Sequence, residues 1–211
     1  MQRRNLISKL CSNIYLVLVF LFLYAPILAL VIFSFNDSKS MGVLNGFTMK
    51  WYVALFRNET ILSALYYTIS IAVLASIIST IFGTITSIGI YKMRGKTKAT
   101  ILNINYLPVL NTDIVTGVAL MSLFAFFQMN FGFKTMLLSH VMFCTPYVIL
   151  SVLPKLRQLP DNVEEAALDL GATPWLAIRK IVIPQIKPGI MSGFLMAFTM
   201  SIDDFIISFF N

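Results

Sequence analysis

The chain has 211 residues, 58% of them hydrophobic and 12% charged, and carries a net charge of +7. A soluble domain has roughly twice that share of charged residues, so the composition excludes one. The two cysteines, Cys11 and Cys144, have no metal-ligand spacing and are not expected to pair.

Arg3 and Arg4 precede an apolar run, but the tract from Leu10 to Asn36 is too long for a secretory signal and lacks a small-residue cleavage site. It reads as a first span. Further uncharged tracts, each measured against the ~20 apolar residues that a spanning helix needs, give five spans in all. Their cores are Ile14 to Phe35, Ile61 to Tyr91, Ala99 to Asn130, Thr135 to Leu153 and Pro188 to Phe210. The second and third are long enough for tilt, a break or an interfacial turn.

Twelve of the 16 Lys and Arg residues fall on one side of these spans: Arg3, Arg4 and Lys9, the four between Lys92 and Lys98, Lys155 and Arg157, and Arg179, Lys180 and Lys187. Lys39, Lys50, Arg57 and Lys134 fall on the other. The positive-inside rule then places the N-terminus in the cytosol. The net charge is mostly this topology signal, and nothing in it favours nucleic acid.

Between the second and third spans, Gly95-Lys96-Thr97 suggests a phosphate loop, but Ile90 stands where the pattern needs its first Gly and no strand precedes it. It reads as a basic cytosolic turn. His140, the single histidine, has no Asp or Glu near it in sequence, and Cys144 alone completes no metal site or nucleophilic pair with it; a packed, hydrogen-bonded role in the outer half of the fourth span is expected.

Asp161 to Pro188 forms a polar, helix-capable island between two apolar stretches. Asp161 and Glu164 have capping-box spacing, Gly171 can supply the positive φ that ends a helix, and Thr173-Pro174 can start another. Two short helices meeting at a corner are expected. Ala166 and Ala167 expose little side chain, so another protein can approach closely, and Glu165 offers a carboxylate; a solvated amphipathic loop is the alternative.

In the fifth span Gly189, Gly193, Ala197 and Ser201 recur every four residues, a small-residue packing stripe. Asp113, Asp203 and Asp204 stand in apolar surroundings, where a central Asp costs about 2.5–3.5 kcal/mol to insert. Helix capping or pairing with a neighbouring subunit would compensate that cost, as would a role in a cation path. Counted from Lys98 and Lys187, Asp113 and Asp203 reach roughly 22–24 Å up a core of about 30 Å if both helices are continuous. Asp204 continues the stripe and is expected against a partner subunit, leaving Asp203 for cargo.

Glu165-Ala166-Ala167, Gly171, Ile181 and Pro184 resemble the EAA signature of permease subunits of bacterial ABC importers, with Ile183 where Leu is usual. The resemblance implies an all-α polytopic helical bundle of the type I importer (MetI-like) kind. It implies one permease domain over residues 1–211, with five spans present and a sixth missing, so that the chain looks C-terminally incomplete. In that family the loop, here about residues 155–187, is a cytosolic coupling helix seated in a groove of the ATPase. Partners would be ABC ATPase subunits, a homologous second permease and an external or periplasmic binding protein, in the bacterial cytoplasmic membrane. ATP hydrolysis would belong to the ATPase, and no catalytic residue, metal or cofactor is assigned to this chain.

Further segments resemble the second permease of polyamine (spermidine/putrescine) importers. They are Tyr24-Ala25-Pro26 through Ser34-Phe35-Asn36, Gly46-Phe47-Thr48 with Lys50-Trp51-Tyr52, Asp113-Ile114-Val115, Ser139-His140-Val141 with Phe143-Cys144, and Ser201-Ile202-Asp203-Asp204. Thr112 replaces an expected Pro, which leaves a helix break before Asp113 open. Polyamine cargo would suit Asp113, Asp203 and Asp204 among aromatic walls. Another small solute, a stand-alone proton-coupled carrier and an intramembrane aspartyl protease are the alternatives; adjacent Asp203 and Asp204 point about 100° apart on a helix and cannot form one dyad.

Overall fold

A computed structural model describes residues 2–38, 42–43, 45–160 and 163–210. The described residues are almost entirely helical; their one β feature is an isolated antiparallel bridge between Asn36 and Phe47. The chain divides into two compact units, Met1–Ala64 and Leu65–Asn211.

In the first unit, α1 (Gln2–Ser34) is followed by a short loop and α2 (Lys50–Arg57). From Ser12 onward α1 is long and apolar enough to cross a membrane, and its side chains are exposed almost throughout. The loop closes on Asn36, which is 2% exposed. Asn36 Nδ2 donates to the Val43 carbonyl at 2.6 Å, its Oδ1 accepts from the Asn45 N–H at 2.9 Å, and its own carbonyl accepts from Trp51 Nε1 at 2.8 Å. Phe35 stacks on both Phe47 and Tyr52 at 5.2 Å, and Lys50 pairs with Asp37. Ser34-Phe35-Asn36, Gly46-Phe47-Thr48 and Lys50-Trp51-Tyr52 thus fold into one small cap.

The unit boundary falls within α3 (Glu59–Lys92). The second unit continues with α4 (Gly95–Leu110), α5 (Asp113–Phe126), α6 (Phe133–Arg157) and α7 (Val163–Asp169). α8 (Pro174–Ala177) runs through a π-helical turn, Ile178–Val182, into α9 (Ile183–Asp203); α10 (Ile206–Phe210) follows.

Its centre is the antiparallel pair α6 and α9, packed around Phe143, Cys144, Val148, Val152 and Leu156 with Ile186 and Ala197. The stripe on α9 is what lets the two backbones approach. A Cβ at Gly189 would lie 2.7 Å from the Lys155 side chain, and one at Gly193 would lie 3.1 Å from Val148. One step further, the Cys144 thiol donates to the Ala197 carbonyl at 3.4 Å. α3 presents a second small-residue face, Ala72, Ala75, Ser76, Ser79, Thr80 and Gly83, all buried. Its hydroxyls at Ser76 and Thr80 donate to carbonyls one turn back, and Ser79 donates across to Val141, so these three are buried as paired donors, whereas Thr84 Oγ1 one turn on is buried without a partner.

Two expectations need correction, and the break left open in the third span is present. The third span is not one helix: α4 and α5 meet at a bend of 106° through Asn111 and Thr112, both extended. Among the described residues, four helices are long and apolar enough to cross a membrane, and the bent pair makes a fifth if taken as one span. The fifth span stops at Asp203 rather than Phe210, because the backbone turns extended at Asp204 and restarts as α10 against α5. The second helix of the polar island is not short; it is the beginning of a 30-residue run, Pro174–Asp203.

Candidate functional site

Two groups of predicted residues lie at opposite ends of the α6–α9 pair. At one end is the polar loop. α7 ends in a Schellman arrangement: the Ala172 N–H donates to Ala167 at 3.0 Å and the Gly171 N–H to Leu168 at 2.9 Å, with Gly171 at φ +85°. Thr173 Oγ1 then accepts from the Leu176 N–H at 3.4 Å, with Pro174 opening α8. The predicted Asp161 cap lies outside the described residues, as do the side chains of Glu164 and Glu165.

Ala166 is exposed and Ala167 buried. Ile181 lies inside the π-helical turn and Pro184 just after it. Pro184 has no N–H for the Lys180 carbonyl, and the Ile183 N–H bonds instead to Ile178, five residues back. The Ile181 and Pro184 positions therefore mark where the loop is spliced to the span. The sequence reading missed the apolar surface beside the alanines: Leu170 is 90% exposed and Trp175 68%. Large apolar side chains in a polar loop were the available signal.

At the other end are the carboxylates. Asp113 is the first residue of α5 and exposed, where the helix dipole favours its charge. Asp203 is the last residue of α9 and exposed. Asp204 is different: its side chain is 4% exposed, its Oδ2 accepts from the Ile207 N–H at 3.0 Å and lies 4.0 Å from His140 Nε2. Asp204 therefore faces its own chain, not a partner subunit, because the stripe it continues packs on α6. α5 packs on α10 at Gly117, against Ile206 and Phe210, which brings Asp113 to the same end of the unit as Asp204. Counting residues up a continuous helix cannot give Asp113 its height, since the chain turns just before it.

His140 is buried as expected. Its Nδ1 hydrogen-bonds Ser201 Oγ at 2.9 Å and its Nε2 hydrogen-bonds Ser208 Oγ at 3.2 Å. Proximity in sequence hid Asp204 from it, 64 residues away. The stripe's spacing held the signal: stepping up α9 by fours while stepping down α6 brings Ser201 to His140, and Asp204, three residues on, follows on the same face. No cluster of three metal-ligating side chains occurs among the described residues.

The sequence of residues 4–210 matches the family described as "Binding-protein-dependent transport system inner membrane component". The chain belongs to that family. Among relatives of this permease, the spermidine/putrescine transport system permease protein PotC of Haemophilus influenzae is 36% identical over 94% of this chain and 77% of its own length. PotC of Escherichia coli is 32% identical over 97% of this chain and 78% of its own. The putrescine transport system permease protein PotI of E. coli is 39% identical over 92% and 72%. The crystal structure of a bacterial ABC transporter involved in the import of the acidic polysaccharide alginate contains a similar chain, with a TM-score of 0.73 at 15% identity, covering 95% of this permease and 75% of that chain. That likeness concerns the fold.

Proposed function

We propose that this permease forms part of the membrane path of an ATP-driven importer of polyamines. The observation that carries the reading is identity of 32–39% over more than nine-tenths of the chain to permeases named for spermidine and putrescine. The placement of the carboxylates supports it: Asp113 and Asp203 are exposed, each at a backbone break. A polyamine carries ammonium groups separated by methylenes, and it is matched by spaced carboxylates between apolar or aromatic walls; exposed Phe205 directly follows the second acidic break.

In this reading the chain hydrolyses nothing. Two ATPase subunits receive the loop at about residues 155–187 through Glu165, Ala166, Ala167 and Gly171, with Ile181 and Pro184 joining it to α9. A homologous permease completes the membrane path, and a binding protein delivers cargo from outside. The N-terminus is cytosolic in this reading, which the distribution of Lys and Arg supports.

The test is competitive uptake of labelled putrescine, spermidine and a neutral solute by the complex reconstituted with its partner permease, ATPase and binding protein. ATP-dependent uptake of the polyamines over the neutral solute is expected, with Gly171→Asp inserting normally yet losing uptake at least about tenfold, because Asp at φ +85° is strained and the corner moves. Equal uptake of all three solutes would refute polyamine specificity, and undiminished uptake by Gly171→Asp would refute the coupling role.

A further inference from the structure

The break that ends α9 is spanned from outside its own segment. Ser201 lies in the last turn of α9, Asp204 at the break and Ser208 within α10. All three converge on the His140 ring of α6: Ser201 Oγ is 2.9 Å from Nδ1, Ser208 Oγ 3.2 Å from Nε2, and Asp204 Oδ2 4.0 Å from Nε2. The imidazole is 1% exposed, so no water competes for these bonds. The same Asp204 Oδ2 accepts from the Ile207 N–H, while the Asp204 carbonyl accepts from Ser208 Oγ at 3.1 Å. Asp203, one residue earlier, makes no such contact and stays exposed.

We infer that His140 is a positioning residue for the acidic break: it ties the end of α9 to the start of α10 and so sets where Asp203 presents its carboxylate. A single planar ring with two polar nitrogens on opposite edges can hold both sides of the break at once. An apolar side chain of similar size can fill the volume but hold neither hydroxyl. Asp204 is then a strut, and Asp203 the group that it and His140 place. The inference rests on the polyamine reading for its consequence in transport, but not for its geometry.

The test uses the full chain co-assembled with its partners, and reads geometry and transport separately. In an Asp203→Cys background, thiol labelling at position 203 is followed by mass spectrometry, with and without His140→Leu, His140→Gln or Ser208→Ala. His140→Leu is expected to change the labelling rate at least about fivefold and His140→Gln to bring it back within about twofold, since Gln restores a donor and an acceptor. Ser208→Ala, a milder change, is expected to move it in the same direction. With Asp203 intact, His140→Leu is expected to raise the half-saturating spermidine concentration about tenfold with maximal rate within about twofold. Labelling rates unchanged by both His140→Leu and Ser208→Ala would overturn the proposal. Labelling that shifts while spermidine saturation does not would support the positioning role and count against the polyamine reading.

Discussion

Asp203 and Asp204 are neighbours in sequence with opposite surroundings, and the difference is set by which one continues the glycine stripe. Asp204 lies seven residues beyond Ala197, on the face that packs against α6, where it caps the start of α10 and meets His140. Asp203 falls off that face and is exposed. Two distinct losses are therefore expected. Asp203→Asn should lower polyamine uptake more than about tenfold with complex yield unchanged. Asp204→Ala, which removes a buried acceptor worth about 1–3 kcal/mol, should lower yield and melting temperature first. Purification yield and uptake measured side by side distinguish the two, and the reverse order would return Asp203 to a structural role. The insertion cost of all three carboxylates was legible in the sequence; which of them would be sheltered was not, because that depends on a contact 64 residues away.

At the scale of elements, small residues decided which helices could meet. Gly83 illustrates this: a Cβ there would lie 2.7 Å from Val148, whereas one at Gly89 on the same helix would meet nothing within 4 Å. Gly83→Ala should therefore destabilise the purified protein by about 1–3 kcal/mol through overpacking, and Gly89→Ala should be neutral or stabilising by up to about 1 kcal/mol through helix propensity. Thermal melts in detergent would show the contrast, and equal effects would mean that α3 and α6 are not packed this closely. The stripe of α9, the Gly171 stop and the Thr173-Pro174 start were all readable from local chemistry. The bend before Asp113 was left open because Thr112 lacks proline's fixed φ; the extended backbone at Asn111 and Thr112 makes the corner without it. The restart at Ile206 was missed although Asp204, a helix-capping residue type, stands at the break, because the apolar residues on either side read as one continuous span.

For the whole molecule, hydropathy predicts five crossings and charge predicts their direction; the described residues hold four helices long and apolar enough to cross, and a fifth if the bent pair is one span. Large apolar side chains along α1 are exposed, among them Phe22 and Leu21, and such a surface requires lipid or another membrane protein against it. The proposed orientation predicts that an impermeant thiol reagent added to intact cells labels Lys134→Cys and spares Lys96→Cys, with the pattern reversed in inside-out vesicles. Labelling of Lys96→Cys from outside would invert the assignment.

The π-helical turn at Ile178–Val182 means that the loop and the glycine stripe do not share one helical phase. A π turn holds about one residue more than an α turn, so a wheel drawn in 100° steps from Trp175 to Ser201 goes out of step at Ile178. Tightening that turn to α geometry would swing α8 by about 100° and displace it by about 1.5 Å beneath a stationary α9. A thrust on Leu170 and Trp175 would then arrive at the span as torque, with Pro184 marking the swivel.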